Sequence, residues 1–454
     1  MVRGWFDRRG QGVYLLDTME ETLQTADLAD KFEASLRRRG RLVIPGGLRR
    51  LLWEFLAEEL GQDWLEHKDP LVAEIKALSE WYGKREGPAP CTPQLHAAAY
   101  VSYFLPMNFH KLPLLLVELL RKNLLKPTLR VLDLGSGPGT SSLALIDSLA
   151  RLRQVAEGVQ ELPKFKLIIQ QVDQDELFLA ASERLIRRYA GYFEGLEVEL
   201  RPSLKGSLTD SAVLEAVSAQ SYDLVIFCNV LNELADLSWE ERAVLVEKYG
   251  EDLAPDGTLV LIAPAMEEAS LGLRAVQVHL MQAGWGLFAP CFLPPGAFTP
   301  EACLKCWWVD GEAVAPIKLI SELDLVRPNM RFTWALLRKD GRCKHEKLLQ
   351  QGFRLPELEA GQDPVVAFCA GNNLYRDKHF RYKLCDARHG PNFVHVLAYR
   401  QLIHPGTEAI RTLRPGSVIK IENVQFSTRD DGTPVTSDYV LPLGASSKLE
   451  VLQR

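Results

Sequence analysis

The sequence lacks any apolar run long enough to cross a membrane. No stretch of about eighteen apolar residues occurs among its 454 residues, whereas a spanning helix needs about 20. The first residues contain no apolar segment that would direct secretion, and Asp17 and Glu20 bring acidic charge early, which is atypical of transit peptides. We therefore expect no membrane partner and a cytoplasmic location, or the mitochondrial matrix if the host is a eukaryote.

An excess of positive charge is also lacking. The 53 Lys and Arg are outnumbered by 59 Asp and Glu, for a net charge of −6. The overall charge therefore does not indicate nucleic-acid binding, and no DNA partner is expected. Two local basic clusters are present, one of six arginines in residues 37–50 and one in residues 376–383 that alternates with aromatic residues. Each is either a solvated surface or a contact surface for RNA.

Cysteine is sparse, with eight in the chain, and without a secretion signal these do not suggest a disulfide framework. Cys291, Cys303 and Cys306 are close in sequence, and the Cys-x-x-Cys step allows two thiolates to bind one metal. Such a centre usually needs a fourth thiolate, and either zinc or an iron–sulfur cluster satisfies the ligand count. The candidates for the fourth ligand are Cys343, Cys369 and Cys385.

The chain is too long for one ordinary hydrophobic core. Apolar residues at helical spacing predict an N-terminal helical region over residues 1–90. Alternating strand and helix patterns over residues 91–340 predict an α/β domain with a doubly wound, mostly parallel sheet, and a cysteine-rich metal-binding insertion at about 289–330. Short strands over residues 341–454, with a hairpin turn at 429–432, predict a small β-domain that is a sandwich or a barrel, with an OB-like barrel as one form.

A glycine-rich turn follows the first predicted strand of the α/β domain. Glycine tolerates positive φ and lets a ligand approach the backbone, and the following helix presents free N–H groups. A dinucleotide site would have Gly or Ala where Thr140 stands, so the pattern favours S-adenosylmethionine (SAM) over a dinucleotide. The residues predicted to bind it here are Asp133, Gly135, Ser136, Gly137, Gly139 and Thr140.

Polar residues also follow the neighbouring predicted strands. Asp173 ends the next strand, where its carboxylate can accept hydrogen bonds from both ribose hydroxyls; Asp175 is the less favoured candidate, and an Asp that only caps the next helix is the alternative. Asn229 and Asn232 follow another strand and should border the pocket, with Asn229 counted among the cofactor-binding residues. Cys228 is predicted to be a buried core residue. No Asn-Pro-Pro-Tyr-like motif occurs, and we assign no catalytic residue.

The order of these motifs resembles the methyltransferase-like family of small-ribosomal-subunit assembly factors, known from mitochondria with relatives in bacteria. This family falls within the class I SAM-dependent methyltransferase superfamily. The resemblance runs from about residue 96 to residue 385. It is carried by residues 96–100, 133–139, 230–234, 289–291, 331–339 and 379–385.

The resemblance implies a class I methyltransferase fold, SAM as cofactor, and the small ribosomal subunit or its rRNA as partner. It also implies a [4Fe-4S] cluster, and Cys343 and Cys369 are then spare. The implied cluster ligands are Cys291, Cys303, Cys306 and Cys385. Three functions remain open: methylation of small-subunit rRNA, a non-catalytic role in ribosome assembly, and a small-molecule or protein methyltransferase with structural zinc.

Overall fold

A computed structural model describes most of the chain. The described residues are 19–84, 92–157, 164–291, 309–312, 314–315, 317–325, 330–346, 365–369, 378–385, 393–413, 416–423 and 438–453. The predicted metal ligands Cys303 and Cys306 and the predicted turn at 429–432 lie outside these residues.

The N-terminal part of the chain is mainly helical. Its first three helices are α1 Met19–Ser35, α2 Gly46–Leu60 and α3 Asp69–Lys84. Between α1 and α2 the chain forms a short hairpin, β1 Arg37–Arg38 and β2 Arg41–Leu42, which the helical periodicity did not predict. Its two turn residues, Arg39 and Gly40, both have positive φ, of 51° and 74°. This conformation is typical of tight two-residue hairpin turns.

A second helical segment leads to the central sheet. It contains α4 Pro93–Ala99, a π-helix at Tyr100–Phe104, α5 Leu105–Asn108 and α6 Lys111–Leu120. Helix α6 is apolar on most sides and buried, and it packs between α1 and the first helix of the α/β unit. A helix that is hydrophobic all round belongs in the interior, so this segment forms part of the core.

The α/β unit is built on a sheet of nine strands. These are β3 Thr128–Leu134, β4 Phe165–Asp173, β5 Leu196–Leu200, β6 Leu204–Lys205, β7 Tyr222–Cys228, β8 Leu253–Pro264, β9 Gly286–Ala289, β10 Val309–Glu312 and β11 Met330–Arg338. The helices that follow its strands are α7 Thr140–Ala156, α8 Glu176–Ala190, α9 Ser211–Ser218, α10 Trp239–Glu251, α11 Glu267–Gln282 and α12 Lys318–Glu322.

The strand order identifies the fold. The sheet runs β10-β11-β8-β7-β3-β4-β5, with β9 also paired to β11 and β6 to β4. Strands β5, β4, β3, β7 and β8 are parallel, and β11 is antiparallel to both β8 and β9. Five parallel strands with a reversed strand beside the fifth form the topology of class I methyltransferases. The predicted doubly wound sheet is therefore confirmed.

Both faces of the sheet are covered, as its uninterrupted apolar strands predict. Along β3, Val131 joins the apolar cluster on one face, and Leu132 joins the cluster on the other. The first cluster includes α7, α8 and the N-terminal helices, and the second includes α10 and α11. No helix within the described residues combines the length and apolar character that a bilayer crossing requires.

A second sheet forms from the C-terminal part of the chain. Its strands are β12 Val365–Cys369, β13 His379–Cys385, β14 Phe393–Tyr399, β15 Val418–Glu422, β16 Asp438–Pro442 and β17 Lys448–Gln453. They pair in the order β16-β14-β13-β12-β15-β17, antiparallel except for β14 with β16. The domain boundaries and the OB-like barrel stay predictions.

A buried ion pair links the segment that follows β11 to helix α6. The Nζ of Lys344 lies 2.9 Å from Oε2 of Glu118 on α6, and both side chains are buried. The backbone N–H of Lys344 donates to the carbonyl of Phe288 in β9. A Cβ on Gly416, next to β15, would lie 2.5 Å from Lys344 Nζ and 3.0 Å from the Pro290 carbonyl oxygen. Lys344 therefore connects three parts of the chain.

Candidate functional site

The three glycines of the turn have different structural roles. Their φ angles are 63°, 53° and 84° for Gly135, Gly137 and Gly139, a region that other residues rarely adopt. A Cβ on Gly135 would lie 2.3 Å from Val230, and one on Gly139 would lie 2.3 Å from the Ser182 hydroxyl. A Cβ on Gly137 would meet no atom within 4 Å. Two glycines thus permit close packing, whereas Gly137 alone faces open space.

Asp173 holds this turn in place. Its Oδ2 accepts a hydrogen bond from the Gly137 N–H at 2.7 Å, and its Oδ1 accepts one from the Asp175 N–H at 2.9 Å. Burial raises the pKa of Asp173, although the backbone N–H groups oppose this shift. Asp175 instead caps α8, since its side chain accepts from the N–H groups of Leu177 and Phe178. Both acids border the cavity, and the assignment of Asp173 to the ribose hydroxyls stays a prediction.

Asp133 links the strand before the turn to the helix after it. It is 1% exposed and its Oδ2 accepts a hydrogen bond from the Ser142 hydroxyl at 2.7 Å. Burial raises the pKa of Asp133 to about 7. Neither Asp133 nor Gly139 borders the adjacent cavity, so any role of theirs in binding is indirect. The predicted cofactor residues that border it are Gly135, Ser136, Gly137, Thr140, Asp173 and Asn229.

The cavity lies at the carboxyl ends of β3, β4 and β7 and has a volume of about 830 Å³. In open α/β sheets, ligands bind outside the carboxyl ends of the strands, where the order of connections reverses. The strand order reverses between β3 and β7. Pockets for small ligands usually have volumes of about 300–1,000 Å³, so the cavity has room for a nucleoside and part of an acceptor.

Aromatic side chains form one wall of the cavity. The lining includes Trp81, Tyr82, Tyr100, Tyr103, Phe104 and Phe178. Three of these come from the π-helix at Tyr100–Phe104, and short π-helical turns are frequent at functional sites. The ring centroids of Tyr100 and Phe104 lie 4.9 Å apart, and those of Tyr82 and Phe104 lie 5.6 Å apart. This wall was not predicted from the sequence, although aromatic residues are dense in this segment.

His96 connects the N-terminal helices to the cavity rim. Its ring is stacked on Phe178 with centroids 4.8 Å apart. Its Nε2 is 3.6 Å from Asp175 Oδ2, and its Nδ1 is 3.8 Å from Glu74 Oε1. Glu74 also accepts hydrogen bonds from the backbone and hydroxyl of Thr92. This cluster joins α3 and α4 to the start of α8.

A buried lysine faces the cavity opposite the end of β7. Lys111 is 5% exposed, and its Nζ donates to Asn229 Oδ1 at 2.9 Å. Burial lowers the pKa of Lys111 to about 8. Lys111 was not predicted from the sequence, in which a charged residue within the apolar stretch 104–120 was the available signal. Asn232 also borders the cavity, as predicted.

Cys228 was predicted to be a buried core residue, and this holds in part, since it packs against the apolar cluster on one face of the sheet. It is half-buried and borders the cavity, because it is the last residue of β7, where the strand emerges from the sheet. Burial raises the pKa of its thiol to about 11. A thiol with this pKa stays protonated at neutral pH and is a poor nucleophile.

The structure describes Cys291 and Cys385 from the predicted metal site. Cys291 is buried in the apolar cluster around α11, and Cys385 packs against that cluster. In the pairing of β12 with β13, Cys385 is opposite Phe368 and Cys369 is opposite Leu384. Cys369 and Cys385 therefore point to opposite faces, and Cys369 lies in the core of the C-terminal sheet. Within the described residues, no three His, Cys, Asp or Glu side chains are arranged to bind a metal.

No family model matches the sequence, and no curated protein matches it. Several solved structures are similar to it. A SAM-dependent methyltransferase from Clostridium acetobutylicum is 12% identical over 78% of this chain and 79% of its own, with a TM-score of 0.26. The mitomycin 7-O-methyltransferase MmcR is 14% identical over 71% of this chain and 75% of its own, with a TM-score of 0.28.

A third similar structure is the arsenic(III) S-adenosylmethionine methyltransferase CrArsM from Chlamydomonas reinhardtii. It is 17% identical over 46% of this chain and 62% of its own, with a TM-score of 0.26. The fold assignment rests on the order and direction of the strands in the nine-stranded sheet. By that criterion, the chain has the class I methyltransferase fold.

Proposed function

We propose that the protein binds SAM in this cavity and methylates RNA of the small ribosomal subunit. The observation that carries the proposal is Gly137, where bare backbone faces open space beside the carboxylate of Asp173. When bound, SAM supplies a methyl group activated by a positively charged sulfur.

The residues around the cavity match the chemistry of this cofactor. The carboxylate of Asp173 would accept hydrogen bonds from the ribose hydroxyls, and the open backbone at Gly137 permits close approach of the ligand. The aromatic faces of Phe178 and Tyr100 are suited to stacking on a purine ring. These side chains would bind and orient the donor, and the walls of the cavity would exclude water from it.

Donor binding is tested by calorimetric titration with S-adenosylhomocysteine, the demethylated product. We expect binding by the wild-type protein and a loss of at least tenfold in affinity for Asp173→Ala. Asp256→Ala is the matched control, since Asp256 is an exposed carboxylate outside the cavity lining. A metal-replete wild-type protein that binds neither SAM nor its product would reject the proposal.

An arginine surface supports RNA as the acceptor. We define it as Arg38, Arg39, Arg41, Arg49 and Arg50, all exposed. None of these five pairs with a carboxylate in the described parts of the chain, whereas Arg184, Arg187 and Arg188 on α8 are all paired. Unpaired guanidinium groups are the usual partners of RNA phosphates.

The part of the arginine surface that lies on α2 is far from the cavity. Helix α2 carries Arg49 and Arg50 near its start, where a Cβ on Gly47 would lie 3.2 Å from Tyr192. Tyr192 follows the far end of α8, whose first turn borders the cavity. At 1.5 Å per residue, a helix of this length spans about 22 Å. An RNA bound at both places would therefore cover a large part of the α/β unit.

The RNA proposal is tested with the triple variant Arg38→Gln, Arg39→Gln, Arg41→Gln. Each lost phosphate contact should reduce the slope of log affinity against log salt by about 0.7–0.9, so we expect a decrease of about 2–3 with small-subunit rRNA. Arg187→Gln is the control because this arginine is already paired. Unchanged affinity and salt slope in the triple variant would contradict an RNA-binding role for this surface.

The second candidate function is a ribosome assembly factor without catalysis. The distance between the arginine surface and the cavity favours it, because RNA bound at the first need not enter the second. The two functions differ in one assay, the transfer of labelled methyl groups from SAM to small-subunit rRNA. Absence of transfer by protein that binds both SAM and the RNA would favour the assembly factor.

We also propose that Cys291, Cys303, Cys306 and Cys385 bind a [4Fe-4S] cluster. The shared apolar cluster around Cys291 and Cys385 supports this, as does the opposite orientation of Cys369. We expect anaerobically purified wild-type protein to contain iron and labile sulfide, Cys385→Ser to lose most of the iron, and Cys369→Ser to keep it. One zinc and no sulfide would instead support the zinc alternative.

A further inference from the structure

Lys111 is a buried amine without a carboxylate partner among the described residues. It begins α6, borders the cavity, and its Nζ donates to Asn229 Oδ1 at 2.9 Å. The ring of Phe332 in β11 lies on another side, with its centroid 5.8 Å from Nζ. Burying a lysine costs free energy unless it is paired with an opposite charge. The hydrogen bond to Asn229 gives Lys111 a polar partner but no opposite charge.

The surroundings of Lys111 favour its neutral form. Desolvation lowers its pKa to about 8, and the Cys228 thiol is the titratable group that opposes this shift. Burial raises the pKa of that thiol to about 11, and the charges of Asp133 and Glu233 act in the same direction. The thiol therefore carries almost no charge near pH 8. A substantial fraction of Lys111 is then a neutral amine with a free lone pair.

The amine also lies beside the proposed donor site. Asn229 has a φ of 62° and directly precedes Val230, which occupies the space next to Gly135 in the glycine turn. The backbone N–H of Asn229 is fixed by the Ile262 carbonyl in β8 at 2.8 Å. The hydrogen-bonded Lys111–Asn229 pair is therefore fixed next to the glycine turn, at the carboxyl end of β7.

We propose that Lys111 is a catalytic residue, the group whose neutral Nζ removes the proton from the nitrogen or oxygen atom that is methylated. This inference rests on the proposed function. The acceptor lone pair forms the new bond to the methyl carbon, and the carbon–sulfur electron pair stays on sulfur, which becomes a neutral thioether. The acceptor proton moves to Nζ, so the positive charge of the sulfonium ends on the Lys111 ammonium. Asn229 Oδ1 orients the amine.

The first test measures Lys111 in the protein alone. Trace labelling with acetic anhydride from pH 6 to 10, quantified by mass spectrometry, follows the neutral fraction of each lysine. We expect labelling of Lys111 to increase with a midpoint near pH 8, and an excess of S-adenosylhomocysteine to decrease it. Exposed Lys248 is the reference amine. A Lys111 midpoint equal to that of Lys248 would overturn the proposal.

The second test measures transfer of labelled methyl groups to small-subunit rRNA against pH. Wild-type kcat/KM should increase with pH and level off above about pH 8. General-base catalysis usually contributes about 10²–10⁴-fold to the rate. Lys111→Met should therefore lower kcat by about that factor and remove the pH dependence that Lys111 causes. Lys111→Arg should lose as much, since a guanidinium is not deprotonated at these pH values.

Calorimetry with S-adenosylhomocysteine serves as the folding control, and both variants should bind it within a few-fold of wild type. If Lys111→Arg retains wild-type rate and pH profile, the residue only supplies charge and hydrogen bonds, and the inference fails while the proposed function stands. If wild-type protein methylates no RNA but Lys111 titrates near pH 8, the proposed acceptor fails instead.

Discussion

Gly137 and Gly135 together test whether the ligand approaches the backbone of the glycine turn, because only Gly137 faces open space. Replacement of either glycine by alanine forces a non-glycine residue into the left-handed region, at a cost of about 1–2 kcal/mol. For Gly137→Ala the added Cβ meets nothing within 4 Å, and the lower entropy of the unfolded chain returns about 0.4–1 kcal/mol. We therefore expect the free energy of unfolding to decrease by only about 1 kcal/mol.

Gly135→Ala should behave differently. Its Cβ would lie 2.3 Å from Val230, so the turn or the segment after β7 must shift. Overpacking of this kind adds about 1–3 kcal/mol, which brings the total loss to about 2–4 kcal/mol. The difference between the two variants should therefore be measurable by urea denaturation.

Ligand affinity should not follow stability in this pair. The Cβ of Gly137→Ala would enter the proposed donor site, and we expect it to weaken S-adenosylhomocysteine binding at least tenfold, or about 1.4 kcal/mol. Calorimetric titration of the folded variant measures this loss. Wild-type affinity in Gly137→Ala would refute the reasoning, because the donor then does not approach the backbone at that position.

Two further predictions concern buried charge. Burial raises the folded-state pKa of Asp133 to about 7 from its ordinary value of 3.8, so the folded protein binds the extra proton and stability is lost as pH rises through this range. Between pH 5 and pH 8 the free energy of unfolding of the wild-type protein should decrease by about 3 kcal/mol relative to that of Asp133→Asn. Urea denaturation at several pH values measures this, and the same pH dependence in both proteins would contradict it. Lys344→Met leaves Glu118 buried without its partner and should cost about 3–5 kcal/mol. Adding Glu118→Leu should recover much of that loss in the same assay, and a further decrease in the double variant would argue against the ion pair as the cause.

The fold could be predicted from the sequence because its signals are local. The apolar run of β7 is buried along nearly all of its length, as a strand covered on both faces requires. Likewise, the spacing of Gly135, Gly137 and Gly139 predicts a turn that needs positive φ, and all three glycines adopt it. Each of these features depends on a few consecutive residues and on backbone geometry.

The chemistry of the site depends on contacts between distant parts of the chain. The sequence favours Asp173 over Asp175 but could not show that Asp173 holds the turn, because this depends on a hydrogen bond from Gly137. Lys111 is 118 residues from Asn229, the residue with which it pairs. Similarly, Cys369 and Cys385 look equivalent as candidate ligands until the pairing of β12 with β13 sends them to opposite faces.

The sequence by itself therefore determined the sheet and its glycine turn, whereas tertiary structure decided the partner and exposure of each polar side chain. The physical reason is the distance along the chain over which each property is encoded. Backbone conformation and apolar periodicity are encoded over a few residues, but burial, pKa and hydrogen-bond partners arise only when the folded chain brings separate segments together.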